Sequence, residues 1–288
     1  MLHSAFFSCQ KEVYYFYTKL HAKNRVAMKS PEKVIDHIVE WLKEYARKSK
    51  MKGFVVGVSG GIDSALTSTL CAKTGLPVLC LEMEIHQEEN QVSRAQNHIK
   101  WLAEHFPNVT HHSLSLTGVF DAFQELLPPT DQKDQAFLSL ANTRARLRMS
   151  TLYYFAALHR FLVAGTGNKV EDFGVGFYTK YGDGGVDLSP IADLMKSEVF
   201  HLAKTLGINE EIQNAAPTDG LWGDDRTDED QLGATYNELE WAMRNTEADT
   251  SRFTQRQQEV MEIYLSFNKQ NLHKMNPIPV CQIPKDFL

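Results

Sequence analysis

Apolar residues in the first part of the chain fall into short, nearly continuous runs, each followed by a longer segment with helical spacing. Such runs are typical of strands that are buried on both faces of a parallel sheet. Strands are predicted over residues 53–58, 77–81, 109–114 and 161–165. Helices are predicted between them, over residues 65–73, 88–104, 119–127 and 136–155. The alternation predicts an α/β fold, a doubly wound parallel sheet with flanking helices.

The two ends of the chain differ from this central pattern. Residues 1–27 are rich in aromatic side chains without a clear period, and we expect them to be an N-terminal extension of unknown role. A helix is predicted from Pro31, with Ser30 as its N-cap. Further helices are predicted over residues 193–206, 231–244 and 252–267, before an extended tail over 277–288. Residues 28–288 are therefore predicted to form a single domain with a helical C-terminal part.

The charge balance argues against one class of partner. The chain has 30 Lys and Arg residues and 36 Asp and Glu residues, which gives a formal net charge of −6. A general nucleic-acid binder needs a net basic face, so we expect no nucleic-acid partner. The longest apolar stretch, residues 152–165, is interrupted by His159 and Arg160, so we expect no membrane span.

The four cysteines are scattered along the chain. They are Cys9, Cys71, Cys80 and Cys281. None belongs to a Cys-x-x-Cys pair, and no Cys/His cluster has zinc spacing. Together with the absence of a convincing secretory signal, this pattern favours reduced thiols in a cytoplasmic protein.

A glycine-rich turn carries the first chemical signal. Residues 59–64, Ser-Gly-Gly-Ile-Asp-Ser, lie between a predicted buried strand and a predicted helix. Backbone N–H groups of such a turn, together with the helix dipole, form an anion site, and glycines let a phosphate approach closely. Asp63 would repel the phosphate unless it holds a divalent cation. The turn lacks the Gly-Lys-Ser/Thr ending of a Walker loop.

This turn resembles the loop of ATP pyrophosphatases, enzymes that cleave ATP between the α- and β-phosphates. Two later segments narrow the resemblance: Gly-Thr-Gly-Asn-Lys-Val-Glu-Asp over 165–172 and Thr-Lys-Tyr-Gly-Asp-Gly-Gly-Val-Asp over 179–187. Further matching motifs occupy residues 142–149, 190–193, 216–221 and 227–233. Over about residues 31–277 the sequence is similar to the NAD synthetase family. The resemblance implies an adenine nucleotide alpha hydrolase-like fold.

The resemblance also implies roles for individual residues. For ATP they are Gly57, Val58, Ser59, Gly60, Gly61, Ile62, Asp63, Ser64, Thr166, Lys196 and Thr218. For Mg²⁺ they are Asp63 and Glu171. For the dinucleotide they are Arg146, Lys180, Asp187, His273 and Lys274. One arginine among Arg144, Arg146 and Arg148 is expected to bind the dinucleotide, and its position favours Arg146.

Two acidic residues are the candidates for catalysis on the nitrogen substrate. Asp183 and Asp187 are expected to orient or deprotonate the incoming ammonium, and the sequence leaves open which of them does so. The sequence departs from the family after the second strand, where many members carry a basic residue near the adenine and ribose of ATP. Here Glu82 and Glu84 occupy that region, so no ATP contact is assigned to it.

The activity implied by the resemblance is a ligase reaction. The carboxylate of nicotinic acid adenine dinucleotide attacks the α-phosphate of ATP, and ammonia then converts the acyl-adenylate to NAD and AMP. Two alternatives remain: another adenylating amide-forming ligase of the superfamily, and a nucleotide sensor without turnover. The acidic balance and the missing Cys-x-x-Cys pair argue against a tRNA-modifying enzyme.

The nitrogen source and the assembly complete the expectation. Twenty-seven upstream residues cannot hold the domain that releases ammonia from glutamine, so free ammonia is expected, unless a separate subunit supplies it. The resemblance implies a homodimer with the dinucleotide site at the subunit interface. The predicted helix that carries Arg146 also carries many apolar residues, which suits such an interface.

Overall fold

The computed structural model describes residues 28–87, 89–217 and 227–287. Four parallel strands form one sheet in the order β3-β2-β1-β4. They are β1 (Gly53–Gly57), β2 (Val78–Glu84), β3 (Val109–Ser115) and β4 (Phe161–Val163). All four strands predicted from the apolar runs are confirmed. β1 is a central strand, so its C-terminal end opens onto the middle of the sheet edge where ligands bind in such folds.

Helices surround this sheet. Those up to the end of β4 are α1 (Pro31–Ser49), α2 (Ile62–Lys73), α3 (Glu89–His105), α4 (Thr117–Glu125) and α5 (Lys133–His159). Those that follow are α6 (Lys196–Thr205), α7 (Glu210–Gln213), α8 (Asp228–Leu232), α9 (Tyr236–Arg244) and α10 (Gln255–Met275). Short irregular helical turns occupy Val170–Val175, Thr250–Arg252 and Lys285–Phe287.

Alternate residues of β1 serve the two faces of the sheet. Phe54 and Val56 are buried in a core cluster that also contains α1, α2 and α6 residues. Val55 is buried on the opposite face with Ala156 of α5. Because a strand turns successive side chains to opposite faces, the continuous apolar run is explained by helices on both sides. The doubly wound architecture is therefore confirmed.

The C-terminal helices form a third cluster, and here the structure corrects one predicted element. The segment 231–244, predicted as one helix, belongs to α8 and α9, which are separate helices. Gly233 ends α8 with a φ of +73°, and the Thr235 hydroxyl then caps α9 by accepting from the Glu238 N–H. Positive φ suits glycine, so the break follows from Gly233.

Other boundaries shift by smaller amounts. α6 begins at Lys196 rather than at residue 193, and α10 runs to Met275, beyond the predicted end at 267. The short helices predicted over 119–127 are one helix, α4. Ser30 does precede α1, but its hydroxyl makes no capping hydrogen bond. None of the helices in the described part of the chain has both the length and the apolar character of a membrane span.

Candidate active site

The glycine-rich turn joins β1 to α2 in a tightly braced conformation. The Ser64 hydroxyl accepts a hydrogen bond from the Ser59 N–H at 3.2 Å and donates to the Gly61 carbonyl at 2.9 Å. Gly60 has a φ of +81°, and a Cβ there would lie 2.8 Å from the Gln91 carbonyl oxygen of α3. Both features require glycine. The turn thus presents the N-terminus of α2 as an anion site.

A cavity of about 520 Å³ opens beside this turn. Thirteen of the predicted site residues line it: Gly57, Val58, Ser59, Gly60, Gly61, Ile62, Asp63, Ser64, Thr166, Glu171, Asp183, Lys196 and Lys274. Thr218, the remaining residue predicted for ATP, lies outside the described residues. The fold therefore brings the predicted phosphate loop, both predicted metal ligands and one predicted catalytic carboxylate to one cavity.

Lys196 joins the two predicted metal ligands. Its Nζ lies 2.6 Å from Asp63 Oδ2 and 2.9 Å from Glu171 Oε1. The side chain of Lys196 is only 3% exposed. Three charged groups from three separate segments thus share one buried space, which concentrates charge beside the anion site.

Burial and charge act against each other on this cluster. Burial disfavours the charged form of Lys196, but the two carboxylates outweigh it and raise the pKa of the ammonium above its ordinary value. Burial also pushes up the pKa of Glu171, yet the Lys196 charge and the Tyr236 hydroxyl outweigh it and lower that pKa. For Asp63 burial prevails over Lys196, with repulsion from Glu171 adding to it, and the pKa is raised. Lys196 is therefore held as a cation.

Two residues outside the predicted site hold the carboxylates in place. The Tyr236 hydroxyl donates to Glu171 Oε1 at 2.6 Å, and it lies 3.1 Å from Asp228 Oδ2. The Asn168 amide donates to Asp63 Oδ1 at 3.1 Å, while its oxygen accepts from the Val170 N–H. Asn168 stands in the motif over 165–172 and Tyr236 follows the motif over 227–233, but no role for either residue followed from the spacing alone.

A second group of predicted residues lies close together, and three of its four members do not line the cavity. The Arg146 guanidinium donates to the Lys180 carbonyl at 3.4 Å, and Lys180 Nζ donates to the His273 carbonyl at 2.9 Å. Lys274, which does line the cavity, donates to the Tyr178 carbonyl at 2.7 Å. Four of the five residues predicted for the dinucleotide are thus neighbours, although they come from distant segments: Arg146, Lys180, His273 and Lys274.

The two candidate catalytic carboxylates have different surroundings. Asp183 lines the cavity, and its Oδ1 accepts from the Thr179 N–H at 2.9 Å. Asp187 does not line the cavity. Its Oδ2 accepts from the Val163 N–H at 2.8 Å, and its Oδ1 accepts from the Tyr153 hydroxyl at 3.0 Å. Within the described chain, only Asp183 of this pair faces the cavity that holds the phosphate loop.

Asp172 is a further carboxylate that the sequence analysis did not assign. It lines the cavity, next to the metal-ligand candidate Glu171, and a Cβ at Gly167 would overlap its carboxylate. The second glycine of the Gly-Thr-Gly segment, Gly167, is therefore required for this close approach. In the sequence, the only signal for Asp172 was its position in the motif over 165–172.

Comparisons with known proteins identify the family of the chain. The sequence model of a family described as NAD synthase matches residues 34–278. The chain is 38% identical over 215 residues to an NH3-dependent NAD+ synthetase from Carboxydothermus hydrogenoformans, covering 73% of this chain and 84% of that protein. It is 34% identical over 261 residues to an NH3-dependent NAD+ synthetase from Syntrophomonas wolfei, covering 89% and 98%.

A solved structure of an enzyme with a different name is also similar to this chain. The structure of an NMN synthetase from Francisella tularensis is similar to this one, with a TM-score of 0.74 and 31% sequence identity. The similarity covers 90% of this chain and 100% of that one. The three similarities therefore extend over most of the described fold.

Proposed function

The chain belongs to the NAD synthase family, and we propose that it amidates nicotinic acid adenine dinucleotide to NAD with ATP and ammonia. It is an ATP-dependent ligase that forms a carbon–nitrogen bond. The observation that carries the proposal is the cavity in which the phosphate loop meets the Asp63–Lys196–Glu171 cluster. This arrangement gathers backbone N–H donors and a fixed cation where a polyphosphate has to be held.

The first half-reaction needs positioning and charge neutralisation rather than a protein nucleophile. A carboxylate oxygen of the dinucleotide attacks the α-phosphorus of ATP. The bond between the α-phosphorus and the oxygen that bridges to the β-phosphate then breaks, and its electron pair leaves with pyrophosphate. The turn over residues 59–64 binds the phosphates through its N–H groups, and Lys196 offsets their negative charge. The acyl-adenylate that remains supplies its own leaving group, AMP.

Asp63 and Glu171 fit a magnesium ion. Both carboxylates converge on the same cationic group within 3 Å, with oxygens of the kind that hard divalent cations prefer. When bound, the ion supplies further neutralisation of phosphate charge. Tyr236 and Asn168 orient the two carboxylates by hydrogen bonds, which keeps both oxygens directed at one place.

The second half-reaction needs neutral ammonia at the acyl carbon. Asp183, the candidate carboxylate that lines the cavity, accepts the proton or orients the incoming ammonium. Asp187 contributes from outside the cavity lining, through its bonds to Tyr153 and to the β4 backbone. Arg146, Lys180, His273 and Lys274 bind the dinucleotide, with ATP held by the loop, Thr166, Lys196 and Thr218.

The assembly is part of the same proposal. Arg146 and His273 are exposed in the isolated chain, so a second copy beside them would complete a binding site for the dinucleotide. Exposed apolar side chains on α5, among them Tyr154 and Leu158, suit a homodimer interface. We place the homodimer in the cytoplasm, in keeping with Cys71, Cys80 and Cys281, which are free thiols.

A second candidate substrate comes from one specific similarity. The solved structure of 31% identity is that of an NMN synthetase. The corresponding reaction here would amidate nicotinic acid mononucleotide, which carries the same reacting carboxylate without the adenylate half. This is the amide-forming alternative that the sequence left open.

One experiment compares both substrates in parallel. The purified chain is given ATP, Mg²⁺ and ammonium chloride with either the dinucleotide or the mononucleotide, and amide product, AMP and pyrophosphate are measured. We expect NAD, AMP and pyrophosphate in equal amounts, with a higher kcat/KM for the dinucleotide. A higher kcat/KM for the mononucleotide would favour the second candidate, and ATP binding without pyrophosphate release would favour a sensor.

A further inference from the structure

Arg94 of α3 lies directly against the phosphate loop. A Cβ at Gly60 would be 3.2 Å from the Arg94 Cβ, 3.0 Å from the Ala95 nitrogen and 2.8 Å from the Gln91 carbonyl oxygen. The Cβ of Arg94 therefore lies next to Gly60 of the loop, and the Arg94 side chain lines the same cavity. A helix that braces the loop thus also supplies a guanidinium beside it.

The described residues that line the cavity are more acidic than a polyphosphate site requires. Six carboxylates line it: Asp63, Glu82, Glu171, Asp172, Asp183 and Asp228. Four cations oppose them: Arg94, Arg148, Lys196 and Lys274. Acidic side chains thus outnumber basic ones around the cavity, which disfavours ATP, so each available cation near the loop matters for binding.

Three of these cations already have acceptors in the protein. Lys196 lies between Asp63 and Glu171, Lys274 donates to the Tyr178 carbonyl, and Arg148 donates to the Met83 carbonyl. The buried Nε–H of Arg94 has no hydrogen-bond partner among the described residues. A buried donor without an acceptor is costly in a folded protein, and a ligand is one way to supply the acceptor.

We propose that the Arg94 guanidinium binds the β- and γ-phosphates of ATP, which leave together as pyrophosphate. This assignment rests on the proposed function. The planar guanidinium matches two phosphate oxygens at once, and Arg94 lies on the side of the loop that faces α3. The residues assigned to the dinucleotide, among them Lys180 and His273, are bonded to each other outside this part of the cavity.

The contact affects more than the binding of ATP. When the α-phosphorus accepts the substrate carboxylate oxygen, the bond to the β-phosphate oxygen breaks and its electron pair stays with the leaving pyrophosphate. A fixed guanidinium beside that oxygen stabilises the growing charge. Arg94 thereby compensates in part for the C-terminal end of β2, where the acidic Glu82 and Glu84 stand.

The test compares Arg94→Gln with Lys100→Gln. Lys100 is an exposed residue of the same helix, so both variants lose one positive charge from α3. Binding of inorganic pyrophosphate with Mg²⁺ is measured by calorimetry, without other substrates, and the KM for ATP and for the dinucleotide by steady-state kinetics. We expect Arg94→Gln to weaken pyrophosphate binding and raise the KM for ATP by about tenfold each, with the KM for the dinucleotide and the melting temperature unchanged.

The other outcomes decide against the proposal. Unchanged pyrophosphate affinity in Arg94→Gln, or an equal loss in Lys100→Gln, would overturn it. A loss confined to the dinucleotide would also overturn it and would assign Arg94 to the other substrate. Arg94→Lys, which keeps the charge but not the planar fork, should recover only part of the affinity. Because pyrophosphate binding needs no turnover, this result is independent of whether the proposed reaction occurs.

Discussion

Lys196 Nζ lies 2.6 Å from Asp63 Oδ2, although the two residues are 133 positions apart in the chain. Asp63 stands in the first turn of α2 and Lys196 is the first residue of α6. The first turns of these two helices therefore meet at the phosphate loop. Two N-terminal helix ends and a buried ammonium there create a positive region, which the Asp63 and Glu171 carboxylates partly neutralise.

Asp63→Asn should leave the protein folded and abolish pyrophosphate release, because the loop loses a carboxylate assigned to Mg²⁺. We expect a fall in turnover of at least about 10²-fold, measured by pyrophosphate release at saturating ATP. Glu171→Gln should lower turnover less completely. Asp36→Asn, an exposed change on α1, serves as the control. Near-normal turnover in Asp63→Asn would contradict the assignment.

Tyr236→Phe should raise the Mg²⁺ concentration needed for half-maximal activity. The change removes the hydroxyl that donates to Glu171 Oε1 at 2.6 Å and leaves the buried ring in place. A lost charge-assisted hydrogen bond corresponds to about a tenfold effect. The measurement is activity against Mg²⁺ concentration, with Tyr154→Phe as the control, since Tyr154 does not line the cavity and the change keeps its ring. An unchanged Mg²⁺ dependence would show that Tyr236 does not position Glu171 for the metal.

Ammonium salts should support activity, and glutamine should give little. Since the attacking species is neutral ammonia, the apparent affinity for ammonium should improve as the pH rises toward about 9, where more of the amine is unprotonated. The measurement is the KM for total ammonium at several pH values. Efficient use of glutamine by the purified chain alone would refute the expectation.

His98 should make the folded state less stable in mild acid. Burial lowers the pKa of this side chain, which is 0% exposed, from 6.5 to about 4. Below pH 6.5 the unfolded chain binds a proton that the folded chain refuses, so stability falls as the pH drops from about 6.5 to about 4. The full loss is about 3 kcal/mol. Urea unfolding at pH 7.5 and pH 5 measures the part of this loss that falls above pH 5, about 2 kcal/mol.

The matched variants for this measurement are His98→Gln and His37→Gln. His37 is exposed on α1, so its replacement should leave the pH dependence of unfolding as it is in the parent protein. His98→Gln should flatten that dependence between pH 6.5 and pH 5. An equal slope in all three proteins would assign the acid sensitivity to other groups.

The purified protein should sediment as a dimer. Tyr154 and Leu158 of α5 are 65% and 60% exposed, and a partner would cover them. Tyr154→Glu combined with Leu158→Glu should shift the protein toward monomers and lower its activity. Leu265→Glu is the control, because Leu265 of α10 is 48% exposed on another helix. A fully active monomer in the parent protein would refute the dimer.

Local patterns predicted the parts of the site that are local in the chain. The glycine-rich turn follows from a buried strand, two glycines and a helix start, and all of residues 57–64, which were predicted to bind ATP, line the cavity. Contacts between distant segments did not follow from the sequence. Spacing along the chain does not reveal that Tyr236 meets Glu171, or that Asp187 bonds to the β4 backbone. Such contacts depend on how α6, α9 and the turn over Val170–Val175 pack.

The break between α8 and α9 illustrates a different limit. Apolar spacing continued across residues 231–244, and the positive φ of Gly233 together with the Thr235 N-cap separates the two helices. A glycine within a helical pattern is compatible with either a weak helix or a stop, so the pattern alone did not decide. The consequence matters for the site, because α9 begins with Tyr236.

At Lys196 the requirements of stability and of activity conflict. A cation at the first residue of a helix opposes the helix dipole, and burying it requires two carboxylates and a tyrosine hydroxyl around it. Replacing such a buried ionic cluster by apolar side chains often makes a protein more heat-resistant. A library of this protein screened for thermal tolerance alone should therefore accumulate changes at Lys196 and its neighbours, and its most robust members should be inert.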